Sequence, residues 1–312
     1  MSLTMARDAY LAQVRLLMRL LPVVSTEPAF ALKGGTAINL FYRDMPRLSV
    51  DIDLAYLPIE NRATSLHAID AAFDRIMAQI NKLPGVNAQR IAGGGDGDTR
   101  VLANADGVTV KIVTSPVMRG AIGKPRLMRT TDAVEDAFGF VATNVLAFDD
   151  LYAGKLHAAL DRQHPRDLFD IKLLYENEGL TDDLFRAFLV YAACSSRPMH
   201  ELLAPNERDI AEDFAREFAG MTVEPVNIDA LLSARKRLIG DIQSRLDGDV
   251  AEFLCTLQAG EPDFSLIDLP QAADLPAIKW KILNLQKLIA DNPDKHRVQT
   301  ETLRAIIRSS IA

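Results

Sequence analysis

The chain has 312 residues, 48% hydrophobic and 25% charged, which gives enough apolar material for one large core or two smaller ones and excludes a disordered chain. Its 35 basic and 42 acidic residues leave a net charge of −7, which excludes a protein that coats nucleic acid by charge alone. The apolar stretch from Tyr10 to Val24 is broken by Arg15 and Arg19, short of the roughly 20 uncharged residues that cross a bilayer, and two distant cysteines, Cys194 and Cys255, imply no disulfide framework or zinc ribbon and point to a reducing cytoplasm.

Apolar residues at helical spacing (Leu11, Val14, Leu17, Met18, Leu21) predict a first helix over 3–21, closed by Pro22. A short strand, 30–32, runs into Gly34-Gly35, followed by a short helix at 37–42 and a strand at 49–57. A long amphipathic helix at 61–82 ends before Pro84-Gly85. Segments 86–91, 100–105 and 108–113 alternate or run apolar between the turns Gly93–Asp98 and Asp106-Gly107, which predicts an antiparallel meander. One further strand is expected at 138–142. Between them, Arg119, Lys124, Arg126 and Arg129 cluster around Gly120, Gly123 and Pro125, either as a solvated loop or as a contact for a phosphate backbone. Beyond residue 143 the pattern is helical, with helices expected at 146–160, 165–177, 181–193, 206–219, 227–246, 250–258, 276–290 and 294–311. The fold class is therefore α+β: a mixed-sheet domain over 1–143 followed by a helical domain over 144–312.

Chemistry concentrates at two places. In Val50-Asp51-Ile52-Asp53-Leu54, side chains of a strand alternate faces, so both carboxylates point the same way and repel one another unless a hard divalent cation neutralises them. Upstream, Lys33-Gly34-Gly35-Thr36 offers backbone N–H groups and a hydroxyl at a helix start, which suits a triphosphate. No Gly-Lys-Ser/Thr follows, so this is not a Walker loop, and no EF-hand glycine follows the acids.

The second place is the hairpin from Lys155 to Asp170. Lys155, Ala159 and Arg162 share one helix face, and Asp167 and Asp170 share a face of the next helix after Pro165. Two readings stand here: an interhelical ion-pair network with Asp167 favoured in the first turn, or a lysine that neutralises phosphate while Asp167 takes a proton or ties the lysine in place. The five histidines (67, 157, 164, 200 and 296) have no zinc-ligand spacing, and His164 reads as a polar turn residue.

With both segments in view, the chain resembles the AbiEii/AbiGii-type toxins of the DNA polymerase β-like nucleotidyltransferase superfamily. The resemblance rests on Gly34-Gly35-Thr36 with Leu40-Phe41-Tyr42, on Arg47-Leu48-Ser49-Val50-Asp51-Ile52-Asp53, on Lys155-Leu156-His157-Ala158-Ala159-Leu160-Asp161-Arg162, and on Arg166-Asp167-Leu168-Phe169-Asp170, across about residues 30–175. It implies an N-terminal polymerase β-like domain followed by a helical domain contributing Lys155 and Asp167 to the site. It implies that Asp51 and Asp53 bind Mg²⁺, that Thr36 and the adjacent amides hold nucleotide phosphates, that Lys155 contacts the triphosphate, and that Asp167 completes the catalytic set. Lys33, Gly34, Gly35, Arg47, Ser49, Arg162 and Arg166 stand in the same motifs and are expected on the nucleotide. The family acts in toxin–antitoxin modules, which implies a nucleoside triphosphate substrate, an antitoxin partner and an RNA acceptor such as a tRNA 3′ end. Many superfamily members carry a third carboxylate on a later strand, whereas the candidate strand here carries Lys111. Transfer to a protein hydroxyl, nucleotide binding without turnover, and a metal-dependent glycosyltransferase are the competing functions.

Overall fold

A computed structural model describes residues 3–91 and 100–311, so the predicted turn at Gly93–Asp98 lies outside the described residues. The chain divides into two compact units: Met1–Leu151 with Ala219–Val226, and Tyr152–Phe218 with Asn227–Ala312. The sequence placed one break at residue 143; instead the short segment 219–226 lies with the first unit, through backbone bonds from Leu48 N–H to the Met221 carbonyl and from Val223 N–H to the Pro46 carbonyl, each 2.9 Å.

The first unit is built on a seven-stranded sheet in the order β3-β4-β5-β2-β1-β7-β6, with strands β1 (Phe30–Lys33), β2 (Asp51–Tyr56), β3 (Asn87–Ile91), β4 (Arg100–Ala105), β5 (Val108–Arg119), β6 (Arg126–Arg129) and β7 (Ala142–Val145). β3, β4 and β5 form the expected meander. Its last turn takes φ +49° at Asp106 and +79° at Gly107, the paired left-handed geometry that Asp-Gly supplies most cheaply. β2 is central, antiparallel to β1 and parallel to β5. One face is covered by helix α1 (Leu3–Val24), which packs on β5, and α3 (Arg62–Ile80). α3 begins where the Asn61 side chain accepts the Thr64 N–H, and its Ile69, Phe73, Ile76 and Ile80 stripe is buried, with Phe73 edge-on to Phe30 at 5.6 Å.

Three local expectations change. Helix α4 (Asp132–Phe138) occupies the start of the predicted strand 138–142; Gly139 at φ +95° ends it, and β7 begins only at Ala142. The cation cluster is not one loop: Arg119 is buried and donates to the Asn61 carbonyl, while Arg126 and Arg129 lie on the edge strand β6, whose apolar alternation is too short to see in sequence. The helix at 37–42 starts earlier, as α2 (Gly34–Ala37), and continues as π-helix over Ile38–Tyr42, a form that concentrates at functional sites.

The second unit contains helices α6 (Pro165–Asn177), α7 (Asp182–Ala193), α8 (Met199–Leu203), α9 (Ala211–Glu217), α10 (Ile228–Gln243), α11 (Gly248–Gln258), α12 (Pro276–Asp291) and α13 (Pro293–Ile311), and it includes most of α5 (Phe148–Asp161). The single helix expected at 206–219 is shortened to α9, because Asp209 accepts the Ala211 N–H and starts it late. α6 packs on α10, burying Leu168, Ile171 and Leu174 beside Leu231, Leu238 and Ile242. No helix among the described residues is long and apolar enough to cross a membrane.

The loop before β6 is pinned by one buried side chain: Asp150 Oδ1 accepts the Ile122 N–H at 2.8 Å and Oδ2 accepts the Gly123 N–H at 2.7 Å. Replacing Asp150 with Ala strands both donors, so we expect a loss of about 2–3 kcal/mol in urea unfolding; an unchanged midpoint would remove this loop from the stability of the first unit.

Candidate functional site

The site in the first unit is assembled from the end of β1, the turn after it, and the start of β2. Lys33 is the cross-strand partner of Asp53, so the chain leaves β1 directly opposite that carboxylate. Burial pulls the Lys33 ammonium below the ordinary lysine range, with the Asp53 charge opposing. Gly34 then turns at φ +74°, where a side chain is strained, and a methyl there would lie 2.6 Å from Asp53 Oδ2. At Gly35 a methyl would lie 2.5 Å from the Arg47 guanidinium and 3.1 Å from Ser49 Oγ. Gly34 is thus favoured both by its backbone conformation and by close approach, while at Gly35 the Arg47 and Ser49 side-chain ends would have to shift, and the N-cap residue Lys33 makes no side-chain hydrogen bond to the helix start that follows. The first N–H groups of a helix have no partner within it, which leaves this backbone disposed toward an anion.

Thr36 is fully buried, and its hydroxyl donates to the Asp51 carbonyl while lying 3.0 Å from Ser49 Oγ. The resemblance expects this hydroxyl on phosphate; within the fold its proton goes to the Asp51 carbonyl, so it clamps the first residue of β2 to α2. Asn39, also fully buried, donates to the Gly35 carbonyl at 2.8 Å and so fixes the other side of the turn. Arg47 is 3% exposed and donates to the Leu48 carbonyl, so it braces the turn from beneath instead of reaching toward solvent.

Along β2, Asp51 and Asp53 are half-buried while Ile52 and Leu54 between and after them are buried, the alternation that places both acids on one face. The parallel neighbour β5 brings Lys111 beside Asp51 and Val113 beside Asp53, and Lys111 Nζ is 3.8 Å from Asp51 Oδ2. A lysine thus stands in the register position next to Asp51. Among the described residues no group of three or more His, Cys, Asp or Glu side chains is arranged for a metal ion. Two carboxylates on one open face, backed by a glycine whose missing side chain leaves room, nevertheless fit Mg²⁺, which commonly takes one or two protein carboxylates and completes its octahedron with water and phosphate oxygens.

In the second unit the hairpin between α5 and α6 brings together the charges seen in sequence. Lys155 Nζ lies 2.8 Å from Asp167 Oδ1 and 2.9 Å from Asp170 Oδ2, and Arg162 donates to both Asp167 oxygens, with Nη2 at 2.9 Å. Lys155 is 6% exposed and both aspartates are buried. Burial alone would raise the Asp167 pKa; the Lys155 and Arg162 charges outweigh it and hold the carboxyl well below the usual range. Arg166 lies at the edge of this group, 3.6 Å from Glu217. Sequence reasoning missed what fixes the hairpin. His164 caps α6 by accepting the Arg166 N–H, and Gln163, buried at φ +53°, donates to the Asn206 carbonyl and accepts from the Arg208 N–H and from buried Arg235. No motif marks these two residues; their position before Pro165, where the backbone must leave one helix and start another, was the available signal.

The sequence profile described as "Nucleotidyl transferase AbiEii toxin, Type IV TA system" matches residues 15–282. Among solved structures, MenT4, a nucleotidyltransferase toxin from Mycobacterium tuberculosis H37Rv, superposes with a TM-score of 0.62 at 16% identity, covering 91% of this chain and 99% of that one. At that identity the likeness is one of fold. No curated protein matches the chain.

The Asp167 carboxyl yields a pH prediction. Its folded pKa lies below its unfolded value of about 4, so its ion pairs stabilise fully above that pH and are lost as pH falls through the folded value. We expect Asp167→Asn to cost about 3 kcal/mol at pH 7, the low end for a broken buried pair because Arg162 is 61% exposed, and to flatten the decline in stability below pH 4. Parallel acid profiles of the two proteins would contradict this.

Proposed function

The chain belongs to the AbiEii nucleotidyl transferase toxin family, and we propose that it uses Mg²⁺ and a nucleoside triphosphate to attach a nucleotide to an RNA, with a tRNA 3′ end as the first acceptor to test. As a family member it is a nucleotidyltransferase toxin of a type IV toxin–antitoxin system, for which an antitoxin is the implied partner. The observation that carries the finer reading is the shared face of Asp51 and Asp53 against Gly34.

Asp51 and Asp53 would hold the metal. When bound, it supplies neutralisation of phosphate charge as the acceptor oxygen bonds the α-phosphorus and the bond to pyrophosphate breaks. The chain's own residues prepare that face. Thr36 ties the Asp51 backbone to α2, Gly34 lets the turn approach Asp53 without a side chain between them, and Arg47 supports Gly35. These contacts hold both carboxylates and the helix start in fixed register, so little reorganisation is required on binding. The family motif assigns Lys155 to the triphosphate and Asp167 to the catalytic set. A carboxyl held so far below its ordinary range is a poor proton acceptor, so we assign Asp167, with Asp170, to orienting Lys155.

One observation favours a second reading, nucleotide binding without turnover: Lys111 stands beside Asp51 and competes with a metal for it. The pair is about 40% exposed on both sides, so its effect on metal binding is at most about 1 kcal/mol, or about fivefold. That is too little to prevent loading at millimolar Mg²⁺.

Incubation with each α-labelled nucleoside triphosphate and total RNA or protein distinguishes the readings. We expect one or more nucleotides to enter RNA, with Asp53→Ala lowering incorporation at least about a hundredfold; label on protein, or binding without transfer to either, would reject the RNA assignment. Lys111→Ala should keep transfer and lower the Mg²⁺ needed for half-maximal rate by up to about fivefold. Gly34→Ala should abolish transfer, while Gly139→Ala, also at positive φ but with open space around its Cβ, should lose about 1–3 kcal/mol of stability and keep its rate.

A further inference from the structure

The second unit contains a cavity of about 280 Å³ that none of the family motifs touches, lined by residues of α11, α12 and α13 among others. Leu257 and Leu288 form part of its apolar wall, and Trp280, 46% exposed, stands on it with indole surface accessible. Gln258 also lines it. This side chain is 5% exposed and its Nε2 has no hydrogen-bond partner among the described residues. A buried amide donor left unpaired costs about 1–3 kcal/mol, and a small rotation of this side chain to meet a ligand acceptor in the cavity would offset that cost.

Two lysines add charge to the wall. Lys281 Nζ donates to the Ser195 and Arg197 carbonyls, both at 2.7 Å, which leaves its third proton and its whole charge without a carboxylate at ion-pair distance among the described residues. Lys295 is exposed at the rim. Burial draws the Lys281 pKa down to about 8, so at neutral pH it remains mostly cationic. An aliphatic side chain in this cavity would leave the Gln258 donor and both ammonium groups unanswered. A planar heterocycle with a ring or carbonyl acceptor and an attached phosphate answers all three.

We propose that this cavity is a nucleotide-binding site separate from the catalytic face, in which a base stacks on Trp280 and accepts from Gln258 while its phosphate meets Lys281 and Lys295. The volume suits a single nucleotide, and base–aromatic stacking is sequence-tolerant. The nucleotide can come from a free mononucleotide or from a single-stranded segment of RNA.

Trp280 is the only tryptophan in the chain, so its fluorescence reports on this cavity alone. The full-length protein carrying Asp53→Ala is titrated with uridine monophosphate, adenosine monophosphate and a short single-stranded RNA. Saturable quenching by any of them is the expected result, and it is independent of transfer activity, so loss of catalysis with quenching retained counts only against the catalytic reading. Binding of RNA at least about tenfold tighter than of the monophosphates assigns the site to an RNA strand; equal binding assigns it to free nucleotide. Lys295→Glu, at an exposed position that cannot disturb the fold, should weaken binding about tenfold, Gln258→Leu by a similar factor, and Lys287→Glu on the same helix as Trp280 should leave it unchanged. Absence of quenching by all three ligands, or equal quenching in wild type and Lys295→Glu, overturns the proposal.

Discussion

Two like charges on one side of a short strand are unfavourable, and the first unit is organised around keeping them there. Asp51 and Asp53 gain nothing from each other, and a single-residue slip of β2 would bury them and expose Ile52 and Leu54. The register is held from both sides: β1 pairs with β2 residue for residue from Phe30↔Tyr56 to Lys33↔Asp53, and β5 pairs with it in parallel from Asp51↔Lys111 onward. Beneath the acids, Ile52 is fully buried, and at the far end of the strand Tyr56 packs on Phe30, which packs on Phe73. The hydrophobic core therefore fixes where the charges emerge. The cost of that placement is one that the proposed cation and phosphate would offset.

The Gly34-Gly35 turn follows from the same constraint. Because Lys33 ends β1 opposite Asp53, the next residue must pass within contact distance of that carboxylate, and only glycine fits. The second unit solves a different electrostatic problem. Lys155, Arg162, Asp167 and Asp170 balance two positive and two negative charges around a hairpin that Gln163, His164 and Arg235 hold rigid. A buried lysine bonded to two buried carboxylates is held in one orientation.

Much of this was legible in the chain. Period-two alternation put Asp51 and Asp53 on one face, Asp106-Gly107 announced its hairpin, and the spacing of Lys155, Arg162, Asp167 and Asp170 anticipated their meeting across the hairpin. The side chains that point inward were not legible. Thr36 and Arg47 stand in motif positions suited to phosphate, yet the hydroxyl of Thr36 and the guanidinium of Arg47 are turned into the protein; motif spacing gives the order of residues and leaves their rotamers open. Lys111 was recognised as a departure, but its pairing with Asp51 depends on the parallel register of β5 with β2, which connects residues 60 apart in the chain and has no local signal. The edge strand β6 and the return of residues 219–226 escaped for the same reason, since short segments acquire their structure from their partners.

Binding of Mn²⁺, a paramagnetic stand-in for Mg²⁺, addresses the central claim without requiring a known acceptor. With a nucleoside triphosphate present, which itself binds the ion, loss of the free-ion electron paramagnetic resonance signal beyond that caused by the nucleotide alone should show saturable binding to the wild-type protein, and Asp51→Asn or Asp53→Asn should each weaken it by about tenfold or more as one of two anionic ligands is lost. Equal Mn²⁺ binding by the wild type and both asparagine variants would contradict the account, because the shared face of β2 would then have no part in holding the metal and the nucleotide.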